Sequence, residues 1–195
     1  MMLHAMIPWD NEANLGRAYN DAMARLPDGD WAIFVDHDAM PTTGQWYRQF
    51  EEAARFLPDA GAIVAMTNRI AAPWQRCGDT VSNDYAVHRR FGAERAKLRT
   101  LLDITDTKGW GGVAFAVSKA AWQEAGGFAD GLGCVDHSLH FRLRAAGRRI
   151  WMHEGIVYYH WRHQGEPDPT SKYPKAANCP CRGPERAPTE RIALP

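Results

Sequence analysis

Asp36 and Asp38 stand one residue apart at the end of an apolar run, Trp31-Ala32-Ile33-Phe34-Val35. Successive side chains of a strand point to opposite faces, so the two carboxylates can project together while His37 points away. A hard divalent cation that also holds phosphate oxygens takes oxygen ligands of this kind. In open α/β sheets, ligands bind beyond the carboxyl ends of the strands. The triplet therefore predicts a metal–phosphate site. The plainer alternative is a strand-terminal turn ahead of Pro41, where aspartate is common.

A second group of metal-ligating types lies near the other end. Cys179 and Cys181 flank Pro180, with His160 and His163 upstream, and four such side chains could ligate zinc. Their spacing matches no standard finger, so unpaired thiols are the competing reading. Cys77 and Cys134 read as isolated thiols, because four cysteines make no disulfide framework in a chain of 195 residues.

The elements that must position these groups follow the chain's periodicity. Leu3–Ile7 reads as a first strand closed by Pro8. Leu15 to Ala24 reads as a helix with Leu15, Ala18, Tyr19 and Ala22 on one face and Asn14 as its N-cap. Pro27-Asp28-Gly29-Asp30 is a turn into the strand that ends at Asp36. Thr42 and Gln45 make a capping box that opens a helix with Trp46, Phe50, Ala53 and Leu57 on one face. Ala62–Met66 is a buried strand, so the order β-α-β-α-β predicts a parallel sheet with covering helices.

Periodicity fades from Ile70 to about Asp84, and Tyr85 to Leu102 is basic and reads as helical. Val113–Val117 predicts a strand, Ser118 caps a helix over Lys119–Ala125, and Gly126-Gly127 stops it. His137 to Ala146 predicts a helix with Leu139, Leu143 and Ala146 inward, closed by Gly147. Ile150–Met152 and Ile156–Tyr159 read as two short strands. Beyond Gln164 the chain carries seven of its twelve prolines and little apolar periodicity, which predicts an extended or partly disordered tail.

Lys plus Arg and Asp plus Glu both total 23, so the overall charge favours neither nucleic acid nor an anionic membrane. No apolar run approaches the length of a membrane span. The first residues lack the basic start and apolar core of a signal peptide, so a cytoplasmic protein is expected. The length allows one large domain or two fused lobes.

Two blocks of the sequence resemble the GT-A glycosyltransferases, in particular the family-two type. One is Asn14-Leu15-Gly16-Arg17-Ala18-Tyr19-Asn20 followed, after a helix, by Asp36-His37-Asp38. The other runs from Gly111-Gly112-Val113-Ala114-Phe115-Ala116-Val117 through Trp122, Gly126-Gly127-Phe128 and Asp136 to Arg142-Leu143-Arg144-Ala145-Ala146-Gly147. The resemblance implies a Rossmann-like α/β fold with a mixed, mainly parallel sheet flanked by helices. It implies one compact domain of two fused lobes. Residues 1–70 would form the nucleotide-sugar and metal lobe and 71–163 the acceptor-side lobe, with 164–195 a Pro-rich tail.

The resemblance further implies a metal-dependent transfer of a sugar, with inversion, from a nucleotide-diphosphate sugar (a UDP-sugar is expected) to a hydroxyl acceptor. That acceptor would be a glycan, a lipid-linked sugar or another alcohol. Asp38 would hold Mn²⁺ or Mg²⁺ directly, and Asp36 would reach the ribose or the metal through water. His160, with His163 as competitor, falls at the third ligand position; otherwise it is a histidine packed among aromatics. Asp136 falls at the position of the catalytic base and is also an N-cap candidate for the helix at His137. Family members usually carry Glu-Asp there, where this chain has Val135-Asp136-His137.

On the donor side the same resemblance points to Pro8, Trp9, Asp10, Asn14, Arg17, Asp36 and His37. Trp9 would stack on uracil or sit on the rim, and Arg17 would meet a phosphate or line a solvated helix face. On the acceptor side it points to Trp110, Gly111, Gly112 and His137, with the Trp110 indole stacked on sugar or packed in the core. The full extra β-α-β step that family members usually carry between the first strand and the acidic triplet is missing, since one helix alone separates Leu3–Ile7 from the triplet strand. The Gln-x-x-Arg-Trp pattern of processive synthases is missing too. A nucleotide-sugar or glycan-binding module without catalysis is the alternative. A sugar-phosphate nucleotidyltransferase is a further one, although Pro8-Trp9-Asp10-Asn11-Glu12 lacks a glycine-rich basic loop.

Overall fold

Runs without polar interruption become the interior of one sheet. A computed structural model describes residues 1–162 and 186–195 of the chain. The strands are β1 (Leu3–Met6), β2 (Trp31–Val35), β3 (Ala39–Pro41), β4 (Ala60–Thr67), β5 (Thr100–Asp103), β6 (Ala114–Ser118), β7 (Arg149–His160) and β8 (Arg191–Ala193). The helices are α1 (Leu15–Ala24), α2 (Trp46–Phe56), α3 (Tyr85–Arg95), α4 (Lys119–Glu124) and α5 (Val135–Ala145). The sheet order is β1-β2-β6-β4-β7-β5-β8, and β3 pairs with β7 off that path.

Every residue of β4 is buried, which requires cover on both faces of the sheet. Phe34, Val64 and Phe115 face Tyr19 and Met23 of α1 and Leu139 and Leu143 of α5. Ile33, Ile63 and Ala116 face Phe50, Ala53 and Ala54 of α2. The fold is thus α/β, a mixed sheet flanked by helices. No helix among the described residues is long and apolar enough to cross a membrane.

The sheet is not mainly parallel in its pairings. β1 with β2 and β4 with β7 are parallel, but β6 runs antiparallel between β2 and β4, and β5 is antiparallel to both β7 and β8. Local patterns report a strand's existence and not its neighbour, so β2 and β4 look adjacent in sequence although β6 separates them.

Local chemistry sets several boundaries as expected. The Asn14 side chain accepts from Arg17 N at 2.9 Å, and Ser118 accepts from Ala121 N at 3.1 Å. Gly126 and Gly127 have φ of 72° and 77°, the left-handed backbone that ends a helix.

Other expectations fail for reasons of tertiary contact. The Thr42–Gln45 capping box does not form, because the Thr42 hydroxyl donates to the Val157 carbonyl at 2.8 Å. α3 stops at Arg95, and Thr100–Asp103 is instead a strand that buries Leu101 against β7. The two short strands are one, β7, with a register shift that loops out the residues between His153 and Val157. Gly155 sits in that shift, where a Cβ would lie 2.2 Å from the Leu98 carbonyl oxygen. α5 begins at Val135, so Asp136 lies in its first turn rather than capping it, and Ala146 is exposed. The tail contributes β8, and Leu194 beyond it is buried. His163, Cys179 and Cys181 lie outside the described residues, and the zinc reading with them.

Candidate metal centre

The turn after β2 carries the acidic triplet to the far end of β7. Asp36 N donates to the Val113 carbonyl at 2.9 Å, and Ala39 N donates back to the Asp36 carbonyl at 3.1 Å. β3 then runs antiparallel to the end of β7, with Ala39 opposite His160. The result brings ligand atoms of Asp36, Asp38 and His160 within 4.8 Å of one another. Asp38 Oδ1 lies 3.3 Å from His160 Nε2. His37 is exposed. The two carboxylates converge, but a turn arranges them and not strand alternation, since β2 ends at Val35.

His160 is held from the opposite side. Its backbone N–H donates to Asn68 Oδ1 and its Nδ1–H to the Arg69 carbonyl, both at 2.8 Å. A carbonyl only accepts, so Nδ1 carries a proton and Nε2 is the nitrogen turned to Asp38. Arg69 itself is 5% exposed. Its guanidinium donates to the carbonyls of Thr80, Val81, Ser82, His160 and Trp161 and to Asn83 Oδ1. It pins the loop after β4 to the chain that leaves β7. Neither Asn68 nor Arg69 stands out in a sequence reading. Their one signal is that they continue a polar run, begun by Thr67, at the carboxyl end of an otherwise apolar strand.

Asp136 approaches from α5. Its Oδ1 accepts the His137 backbone N–H at 2.8 Å and lies 3.2 Å from His137 Nδ1. The Gly112 N–H also donates to this carboxylate. Gly112 and Val113 are adjacent, so one short segment binds Asp136 through the first and Asp36 through the second. The helix enters from Cys134, which adopts a left-handed φ of 60°.

Carboxylates gathered this way disturb one another. Burial pushes the Asp36 carboxyl up to about 7; the nearby His160 opposes this, while Asp38 and Asp136 reinforce it. Burial, the largest single influence, acts to raise Asp38 too, but the bond and charge of His160, the nearby His37 and the Arg162 N–H together outweigh it and hold that carboxyl at about 2. Burial acts to lower the His160 pKa, but Asp38, the Arg69 carbonyl and Asp36 together reverse this, so it is raised. Burial likewise opposes ionisation of Asp136, yet the His137 ring and the backbone N–H donors hold it below the usual range. Tyr19, buried under the cluster, has its hydroxyl pKa raised by burial and by the fields of Asp36 and Asp136.

The loop before β6 divides. Trp110 is 0% exposed, packed 5.6 Å from Phe115 and 5.3 Å from His140 between ring centroids. Its indole is part of the core and has no face open to a sugar. Gly111 spends both backbone groups on the Gln75 side chain, at 2.8 and 2.9 Å. Gly112 and His137 remain beside Asp136.

The donor-side residues close on themselves. Asp10 Oδ1 accepts from Glu12 N and Asn14 N, and its Oδ2 accepts from Arg17 Nε at 2.8 Å. Arg17 Nη2 donates to Glu12 at 2.8 Å, so the guanidinium is occupied by two carboxylates. Asn14 Oδ1 also accepts from Gly131 N. Pro8 is half-buried, and Trp9 is 76% exposed with its Nε1 donating to Asn11. None of these joins the Asp36–Asp38–His160 group. No protein-family model matches the chain, and no curated protein matches it significantly.

Proposed function

We propose that the chain is a metal-dependent glycosyltransferase of GT-A type, taking a sugar from a nucleotide-diphosphate sugar, a UDP-sugar by preference, to a hydroxyl acceptor with inversion. The observation that carries this reading is the convergence of Asp36, Asp38 and His160 at one end of the sheet, with Asp136 beside them.

Two carboxylates and an imidazole whose Nε2 faces inward suit Mn²⁺, and Mg²⁺ with more water. Burial, reinforced by the charges of Asp38 and Asp136, pushes the Asp36 carboxyl up to about 7, and positive charge placed among these groups opposes that shift. Asp38 and His160 would hold the ion, with Asp36 completing the set. When bound, such an ion supplies charge to neutralise the diphosphate leaving group.

The remaining work falls to this chain's own groups. The acceptor oxygen bonds to the anomeric carbon as the bond from that carbon to the diphosphate oxygen breaks. The electron pair leaves with the diphosphate. The acceptor proton passes to the Asp136 carboxylate, which its donors keep ionised and oriented. His137 faces the same carboxylate and holds its orientation toward the acceptor.

A nucleotide-sugar panel with Mn²⁺ and with chelator, read as nucleoside diphosphate release, tests the proposal. Release should depend on the metal and disappear in Asp38→Ala; release retained by that variant removes the assignment. The self-paired Asp10–Arg17–Glu12 group favours a second reading, a binding module without transfer. Binding of UDP and Mn²⁺ with no donor consumption and no effect of Asp136→Asn would support it.

A further inference from the structure

A cavity of about 810 Å³ opens between residues 42–45, which lead into α2, and α3 with the residues just after it. Arg89, Arg90 and Lys97 line one wall, and Thr43, Gly44 and Gln45 line the other. No carboxylate lines it. β3 separates it from the metal centre: Asp38 precedes that strand, Thr42 follows it, and the Tyr85 hydroxyl ties α3 to the Pro41 carbonyl at 2.6 Å.

The charge here departs from the habit of the same two helices. Arg48, Arg55 and Arg95 each face a glutamate. Arg89 and Arg90 are exposed and have no ion-pair partner among the described residues. Lys97 is shared with Glu94, which stands outside the cavity. Opposite the cations, Gln45 stands at the N-cap position of α2 and gives no side-chain cap, so the first backbone amides of the helix are left to solvent or ligand. Guanidinium groups bind phosphate oxygens through paired hydrogen bonds, and alanines along this part of α3 leave room for a ligand of many atoms.

We propose that this cavity binds a phosphate-bearing ligand, at a site separate from the metal centre and independent of the glycosyl-transfer reading. The oxyanion lies between Arg89, Arg90 and Lys97 and the segment Thr43–Gln45 at the amino end of α2, and the rest of the ligand occupies the remaining volume.

The test uses the full chain with a chelator present, so that metal-bridged binding elsewhere contributes nothing. Inorganic pyrophosphate is titrated while the backbone amide signals of Gly44, Gln45 and Trp46 are followed by NMR. Vesicles of phosphatidylglycerol are offered in a parallel sedimentation assay. The expected result is saturable movement of those signals that weakens roughly tenfold or more in Arg89→Gln/Arg90→Gln and with added salt. Both positions are exposed, so the melting temperature should stay at the wild-type value. Pyrophosphate binding lost in the variant identifies a soluble phosphate ligand. Vesicle binding alone, equally lost, identifies a lipid headgroup. Failure of both probes, or binding undiminished in the double variant, overturns the proposal.

Discussion

The Arg69 carbonyl accepts Nδ1–H of His160 at 2.8 Å, and the other nitrogen of that ring lies 3.3 Å from Asp38 Oδ1. Three separate stretches meet in this relationship: the end of β4, the end of β7 and the turn after β2. The hydrogen bond determines which nitrogen is available, while the β3–β7 ladder determines what it faces. A ligand histidine held by a carbonyl on its far side is a recurring way to orient imidazole toward a metal.

Arg69→Met should therefore weaken Mn²⁺ binding by about 10- to 100-fold, because it frees the carbonyls that hold the segment around His160. Arg69→Lys should not restore it, since an ammonium cannot span the same six acceptors. Calorimetric titration with Mn²⁺ measures both. Wild-type affinity in Arg69→Met would show that Asn68 and the ladder orient His160 unaided.

Gly112→Ala separates the carboxylate's exposure from its ionisation. A Cβ there meets Phe115 at 3.5 Å and Asp136 Oδ2 at 3.6 Å, both ordinary contacts. Stability should hold or rise by about 0.4–1 kcal/mol. Acceptor-dependent diphosphate release should nevertheless fall, and Asp136→Asn should lower it by about 10²- to 10⁴-fold. Thermal melts paired with turnover assays decide this; unchanged turnover in Gly112→Ala would mean the acceptor approaches from another side.

Trp110→Ala should destabilise the protein by about 3–5 kcal/mol, the usual loss for a large aromatic removed from a core. Trp110→Phe should cost less and leave acceptor KM at the wild-type value. Denaturant unfolding gives the first number and steady-state kinetics the second. A selective rise in acceptor KM with little loss of stability would return Trp110 to the binding site.

His140 and His153 make the fold sensitive to acid. Burial is the leading cause that lowers each to about 4. The unfolded chain takes up these protons near pH 6.5, the folded chain only near 4, so the stabilisation is complete above about 6.5 and is lost as pH falls toward 4. The loss amounts to roughly 3 kcal/mol per histidine. Melting temperatures between pH 4 and 7 should fall less steeply in His153→Leu, and an identical slope would refute the assignment.

What could be read in the sequence divides by the range of the interactions. Asn14, Ser118 and the Gly126-Gly127 pair act within a few residues, so their roles are visible in their neighbours. Asp36 and Asp38 were legible as a pair, although their companion His160 is brought to them only by a ladder between residues 39 and 160. Thr42 has the signature of a cap and serves instead as a hydrogen-bond donor to Val157, 115 residues away. β5 carries too few residues to announce itself, and β8 follows a proline-rich stretch that gives no sign of an ordered partner. Both depend on pairing with distant segments, which no local pattern encodes.

β8 has a consequence for how molecules of this protein meet. Without it, β5 would end the sheet with the outer backbone groups of Leu101 and Leu102 free, a template for a strand from another chain. Residues 191–193 occupy that ladder, Leu194 is buried beyond it, and Arg191 and Glu190 are tied to Glu154 and Arg149. The sheet's border becomes three residues long and charged, the kind that resists edge-to-edge growth. Removing residues 189–195 should therefore increase self-association of the protein through its own sheet, independently of anything that happens at the Asp36–Asp38–His160 cluster.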